Sequence, residues 1–197
     1  LSPSALSRAE AYILSHDFDR PTLVVDAEAV ARQYAALAQG LGRARIHYAV
    51  KANPAPALLE TLVRAGSHFD AASRGEIRMC LDAGARPDQI SFGNTIKRPA
   101  DIARAHRIGI THFAADAEEE LAKLAEHAPG AQVYIRLVVM SSEADWPLSR
   151  KFGCAPDKAL PLMAMARALG LRPVGLSFHV GSQTRRAGAW APVLDQV

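Results

Sequence analysis

The chain has 197 residues, 49% hydrophobic and 22% charged, a balance that suits one soluble globular core, and it holds no low-complexity tract. Its net charge of +3 comes from scattered basic residues with no tract or aromatic-interleaved patch, so neither nucleic acid nor a membrane surface is the expected partner. Two cysteines, Cys80 and Cys154, form no CxxC pair and no metal-like cluster with the seven histidines, so no metal is expected. Sparse cysteine, no signal peptide and no apolar run long enough to span a bilayer lead to the expectation of a cytoplasmic protein. The first residues, Leu1-Ser2-Pro3-Ser4, lack Met and read as trimmed.

Residues 4–16 suit a short helix, Thr22–Asp26 reads as a strand, and 27–40 reads as an Ala-rich helix ending near Gly40 and Gly42. From there strands and helices alternate. Strand 45–51 precedes helix 55–65, strand 68–72 precedes helix 74–83, and strand 89–92 precedes helix 98–108. Strand 111–115 precedes helix 117–127, and strand 131–139 leads to a polar loop over 140–156. Helix 157–169, strand 173–179 and a helix beginning at Ala187 complete the pattern. Helices stopping at Gly66, Gly84, Gly109, Gly130 and Gly170, each followed by a short apolar strand, are the mark of βα units and a parallel sheet.

A doubly wound sheet and a (β/α)8 barrel both accommodate this alternation. The polar residues favour the barrel. Lys51, Asp70, Asn94, Asp116, Arg136 and His179 fall at the C-terminal ends of successive strands, where barrels gather their active residues. About six of the eight units are present, so an incomplete (β/α)8 TIM-type barrel is expected. Residues 1–44 would lead in through a helix, a strand and a helix, and 45–197 would form the partial barrel. Two open edges would invite aggregation, from which a longer functional protein is expected.

Several residues stand out chemically. The apolar run before Lys51 stops at Asn53-Pro54, which puts an amine at the tip of a strand. A desolvated lysine is readily neutral and nucleophilic, as in Schiff-base enzymes, although this stretch alone reads as a lysine reaching solvent. His179 suits either a core histidine satisfied by backbone or a ligand-facing ring. Arg136 suits a strand-end salt bridge or a cation for an anionic group. Ser182, after Gly181, suits a plain turn or a phosphate oxygen. Glu76 is placed as a helix-N-terminal carboxylate, a position favoured electrostatically. A loop as long as 140–156 inside an α/β domain is usually functional or disordered. Met163 and Met165 read as helix packing.

Taken together, Tyr48-Ala49-Val50-Lys51-Ala52-Asn53, Phe69-Asp70-Ala71-Ala72-Ser73-Arg74-Gly75-Glu76, Lys151-Phe152-Gly153 and Ser177-Phe178-His179-Val180-Gly181-Ser182-Gln183 resemble the basic amino-acid decarboxylases that use pyridoxal phosphate (PLP). This is the ornithine, diaminopimelate and arginine decarboxylase family, which pairs an alanine-racemase-like barrel with a β-domain. Phe18-Asp19-Arg20-Pro21-Thr22, Phe92–Lys97 and Trp146–Cys154 look most like its bacterial ornithine decarboxylases. The resemblance implies that Lys51 carries PLP through its amine and that the His179 ring lies against the pyridine face. It implies a cofactor contact for Asp70 and Arg136, a phosphate contact for Ser182, and supporting roles for Glu76 and Lys151. Cys154 and Cys80 have no catalytic role by this resemblance. It also implies a strand at 22–26 belonging to a β-domain absent here, and a homodimer with shared active sites. The implied reaction is decarboxylation of a basic amino acid, first of all L-ornithine to putrescine. Lysine or diaminopimelate decarboxylation, a non-catalytic PLP-binding or inhibitor-type homologue, and an unrelated doubly wound domain are the alternatives.

Overall fold

The computed structural model of the chain describes residues 7–139, 144–146, 151–184 and 187–195, with 144–146, 182–184, 187 and 189 described by their backbone alone. Helix α1 (Arg8–Leu14) starts from a capping box. Ser7 Oγ accepts the Glu10 N–H, and the Glu10 carboxylate accepts the Ser7 N–H in return. Helix α2 (Ala27–Leu41) starts at Asp26, whose Oδ1 accepts the N–H groups of Glu28 and Ala29 at 2.9 and 3.2 Å. Between them the expected strand at 22–26 does not form. An extended segment becomes a strand only when a neighbour takes its N–H and C=O groups, and no described strand pairs with it.

The alternation beyond residue 45 is present. It runs β1 (His47–Ala49), α3 (Pro56–Arg64), β2 (His68–Ala71), α4 (Arg74–Asp82), β3 (Ile90–Phe92), α5 (Pro99–Arg107), β4 (His112–Ala115), α6 (Glu118–His127) and β5 (Gln132–Arg136). It continues with β6 (Ala144–Trp146), α7 (Pro156–Ala168), β7 (Arg172–Ser177), β8 (Ser182–Thr184) and α8 (Ala191–Leu194). Pro stands at the first turn of α3, α5 and α7, where its missing N–H costs nothing. Three Glu residues open α6, and Arg104, His106 and Arg107 close α5, both matched to the helix dipole.

One six-stranded parallel sheet holds β1-β2-β3-β4-β5-β7 in strictly sequential order. A doubly wound sheet reverses its strand order at a switch point, and this sheet has no reversal. The architecture is therefore the barrel arc. Register explains its two faces. Tyr48, Phe69 and Ile90 lie in one row across β1, β2 and β3, and Phe92, Phe113 and Val133 in the row across β3, β4 and β5. These face the helices and form the core with Leu59, Leu62, Ile102, Leu121 and Leu124. Burying each such large side chain contributes about 1.5–3 kcal/mol. The alternate residues, Asp70, Ser91, His112, Tyr134 and Arg136, face inward, so the inner face is polar rather than the second apolar face expected of a parallel sheet.

β5 and β7 end at Arg136 and Ser177, earlier than the expected 139 and 179, and three further differences bear on the site. β1 ends at Ala49, and Lys51 sits in a 3-10 turn over Val50–Ala52. The chain after 187 forms a 3-10 turn, Ala187–Trp190, before the short α8. The 140–156 stretch contains β6, which pairs antiparallel with β8 through Ala144 with Thr184 and Trp146 with Ser182. Ala144-Asp145-Trp146 and Ser182-Gln183-Thr184 lack the apolar run that makes the equally short β1 and β3 visible in sequence.

Candidate active site

At the C-terminal ends of the strands lies a cleft of about 610 Å3, within the size range of small-molecule sites. Five of the six polar strand-end residues line it: Lys51, Asp70, Asn94, Arg136 and His179. Lys51 and His179, which a doubly wound sheet would hold apart, share this one cavity.

The turn bearing Lys51 is held from both sides. Val50 is fully buried beneath the helices. Tyr48 Oη donates to the Asn53 carbonyl at 3.1 Å, and Asn53 Oδ1 accepts the Ala55 N–H at 3.1 Å to start α3. The Lys51 side chain itself is exposed within the open cleft rather than desolvated at a buried strand tip.

Asp70 projects inward from β2. Ser91 Oγ on β3 donates to its Oδ1 at 3.2 Å. Its carboxyl sits above the usual carboxylate range, first because it is buried, while the Ser91 hydrogen bond, Lys51 and Arg136 pull it back down. The carboxylate occupies space that exists because residue 93 is glycine. A Cβ there would lie 1.8 Å from Asp70 Oδ1. Gly93 does not have a positive φ, so the close approach rather than the backbone conformation requires glycine.

Arg136 ends β5 with its guanidinium over the Phe152 ring, 5.2 Å from the centroid. His179 follows β7. Its Nδ1 accepts the Gly181 N–H at 2.8 Å, which leaves the proton of the neutral ring on Nε2. Burial first, then the charges of Arg136 and Lys51, hold this imidazole below its ordinary value, so the ring is neutral at neutral pH.

Glu76 and Lys151 are not among the described residues that line the cleft, and Ser182 is described by its backbone alone. Glu76 Oε2 accepts the Ala72 N–H at 2.7 Å and Ser73 Oγ accepts the Glu76 N–H at 3.2 Å, the arrangement of a helix-terminal carboxylate. Lys151 is exposed, its Nζ 5.4 Å from the Phe152 ring. The Ser182 backbone is in β8, and its side chain lies outside the described residues. Asp116 is turned away from the cleft to accept the Gly153 N–H at 2.8 Å.

Sequence reading missed several wall residues. Tyr134, Ser177 and His47 line the cleft, and each lies an even number of positions before a residue that was singled out. Stepping back by two from Arg136 and His179, and by four from Lys51, would have found them. Lys97 was also missed. Its Nζ is fully buried, 2.8 Å from Glu120 Oε1, and donates to the carbonyls of Asn94 and Ala114 at 2.8 and 2.6 Å. It fastens the β3 loop that brings Asn94 to the cleft.

Comparison with known proteins agrees with this geometry. Residues 27–197 match the family model described as "Pyridoxal-dependent decarboxylase, pyridoxal binding domain". The chain is 35% identical to the lysine/ornithine decarboxylase of Selenomonas ruminantium over 96% of its own length and 48% of the relative's. It is 35% identical to the chloroplastic ornithine decarboxylase of Nicotiana glauca over 88% of its length and 40% of the relative's. The crystal structure of lysine/ornithine decarboxylase from Vibrio vulnificus, complexed with putrescine, superimposes with a TM-score of 0.85 at 32% identity, covering 97% of this chain and 51% of that one. The chain thus spans about half the length of these relatives. With the family model covering most of the sequence and the sequential barrel arc beneath it, the chain belongs to the pyridoxal-dependent decarboxylases, and residues 27–197 are a pyridoxal-binding domain of that family.

Proposed function

We propose that the protein carrying this chain decarboxylates a basic amino acid with PLP as cofactor, and that its substrate is L-ornithine, giving putrescine. The observation that carries this reading is the placing of the Lys51 amine in one cleft with Arg136, His179 and Asp70. That donor set fits PLP. A primary amine suits the cofactor's aldehyde, a flat neutral imidazole suits one face of its ring, and a guanidinium suits its anionic groups. Relatives named for ornithine support the choice of substrate.

When bound, PLP supplies an electron sink for the pair released from the substrate's Cα–carboxylate bond. The chain's own residues prepare that event. Lys51 would hold the cofactor through its amine and yield it to the substrate amine. His179, its ring tethered by the Gly181 N–H, would fix the plane of the pyridine. Arg136 would hold an anionic oxygen, braced by Phe152. Asp70 would set the charge balance near Lys51, with which it interacts electrostatically. Phe152 and Phe178 give the cleft apolar wall area. Ser182 is proposed as a phosphate contact on its sequence position alone. Glu76 and Lys151 have supporting parts, Glu76 through the Ala72 backbone and Lys151 beside the Phe152 ring. A homodimer with shared sites belongs to the same proposal.

The test is turnover of the full-length protein with ornithine, lysine, arginine and diaminopimelate, with and without added PLP. The highest kcat/KM should be for ornithine and should depend on PLP. A higher kcat/KM for another of the four replaces the substrate. PLP binding without turnover of any of the four removes the catalytic reading.

A further inference from the structure

Asp116 is the one polar strand end that does not face the cleft, and its contacts give it a different task. Beyond Ala115, β4 no longer accompanies β5, and the returning end of the 140–156 stretch takes its place. Leu137 pairs in parallel with Cys154. The Cys154 N–H donates to the Arg136 carbonyl at 2.9 Å, and the Val138 N–H donates to the Cys154 carbonyl at 2.8 Å. On the other edge, the Leu137 N–H donates to Ser177 of β7 at 2.7 Å. The segment around Gly153 is thus inserted as an extra rung at the mouth of the barrel. Two features lock it there. The Asp116 carboxylate accepts the Gly153 N–H at 2.8 Å. Gly153 has φ +102°, and a Cβ on it would lie 2.5 Å from the Leu137 carbonyl carbon and the Val138 nitrogen, so no other residue lets the backbone come this close. The residue before this lock is Phe152, whose ring covers the Arg136 guanidinium and forms part of the cleft wall.

We propose that Asp116 is a positioning residue: by fastening Gly153 it sets Phe152 against Arg136 and so holds the guanidinium aimed into the cleft. The Asp116 carboxylate touches no bound group itself and acts through two intervening residues. The fastening stands on geometry alone. Its effect on the cofactor rests on the reading of Arg136 as a PLP contact.

Three variants of the full-length protein separate the links. Asp116→Ala removes the acceptor. Asp116→Asn keeps a side-chain oxygen at the same reach and removes the charge. Phe152→Leu keeps the fastening and removes the ring. Amide hydrogen exchange of the peptide covering residues 152–155, without cofactor, reads the lock. PLP affinity by equilibrium dialysis reads the hold on Arg136. The expected pattern is faster exchange in Asp116→Ala, near-native exchange in Asp116→Asn, and unchanged exchange in Phe152→Leu. PLP affinity should fall about two- to five-fold in Asp116→Ala and Phe152→Leu, the range of one cation–π contact, and stay near native in Asp116→Asn. Unchanged exchange in Asp116→Ala overturns the fastening. Unchanged affinity in Phe152→Leu overturns the hold on Arg136. A native protein that binds no PLP, with the exchange pattern as expected, supports the fastening and removes the cofactor reading of the cleft. Should Asp116→Ala fold poorly, Asp116→Ser, too short to reach Gly153, takes its place with the same outcomes.

Discussion

Replacing Gly93 with Ala puts a methyl group where the Asp70 carboxylate lies. The new Cβ would stand 1.8, 2.6 and 2.8 Å from Oδ1, Cγ and Oδ2 of Asp70, and contacts below 3.0 Å do not occur, so the carboxylate must retreat by more than about an ångström. The backbone at residue 93 is not in the left-handed region, so the substitution is a steric test with no conformational penalty mixed in. Retreat breaks the 3.2 Å hydrogen bond from Ser91 and pushes the carboxylate into the cleft beside Lys51. Overpacking of this kind costs about 1–3 kcal/mol, which in a domain of this size lowers Tm by about 2–12 °C. The assay is a thermal melt and a PLP titration of Gly93→Ala, Asp70→Ala and the double variant. Removing the carboxylate should relieve the clash, so the double variant should melt above Gly93→Ala alone. Additive losses in the double variant, or a Gly93→Ala protein indistinguishable from native, would show that Asp70 does not occupy the space left by residue 93.

Three further outcomes are expected. Lys97→Met leaves Glu120 buried with only Lys123 beside it, at 2.5 Å, and should cost about 3 kcal/mol by urea melts; the double variant with Glu120→Leu should recover part of the loss. Phe113→Ala, at a fully buried site facing the helices, should cost about 3–5 kcal/mol by the same measurement. Burial first holds His47, His68, His112 and His179 below the ordinary value of 6.5, so the unfolded chain takes up those protons before the folded one. The stability these four contribute should therefore fall as pH drops below 6.5, seen as a lower Tm at pH 5.5 than at pH 7.5. A Tm at pH 5.5 equal to or above that at pH 7.5 would contradict these placements.

Much of the fold was legible because its signals are local. Gly66, Gly84, Gly109, Gly130 and Gly170 each follow their helix with positive φ, so the alternation of helices and strands could be read residue by residue. The choice of barrel over doubly wound sheet rested on where Lys51, Asp70, Asn94, Asp116, Arg136 and His179 fall, and all but Asp116 do share the cleft. What stayed hidden depends on register and on long-range contacts. The pairing of Asp70 with Ser91 across β2 and β3, and the fit of its carboxylate over Gly93, follow from strand alignment that sequence does not carry. Asp116 has the same position at a strand end as its neighbours, but a backbone N–H 37 residues further on turns it from the cleft to the loop. The strand at 22–26 has the right composition and no described neighbour to pair with.

The central claim is that the Lys51 amine carries the cofactor. Borohydride reduction of the PLP-treated full-length protein, followed by peptide mapping by mass spectrometry, tests it directly. The account predicts a single pyridoxyl label on Lys51, with loss of the visible absorbance on reduction and no label at this peptide in Lys51→Ala. A label on another lysine, or reduction that leaves the Lys51 peptide unmodified, would contradict it.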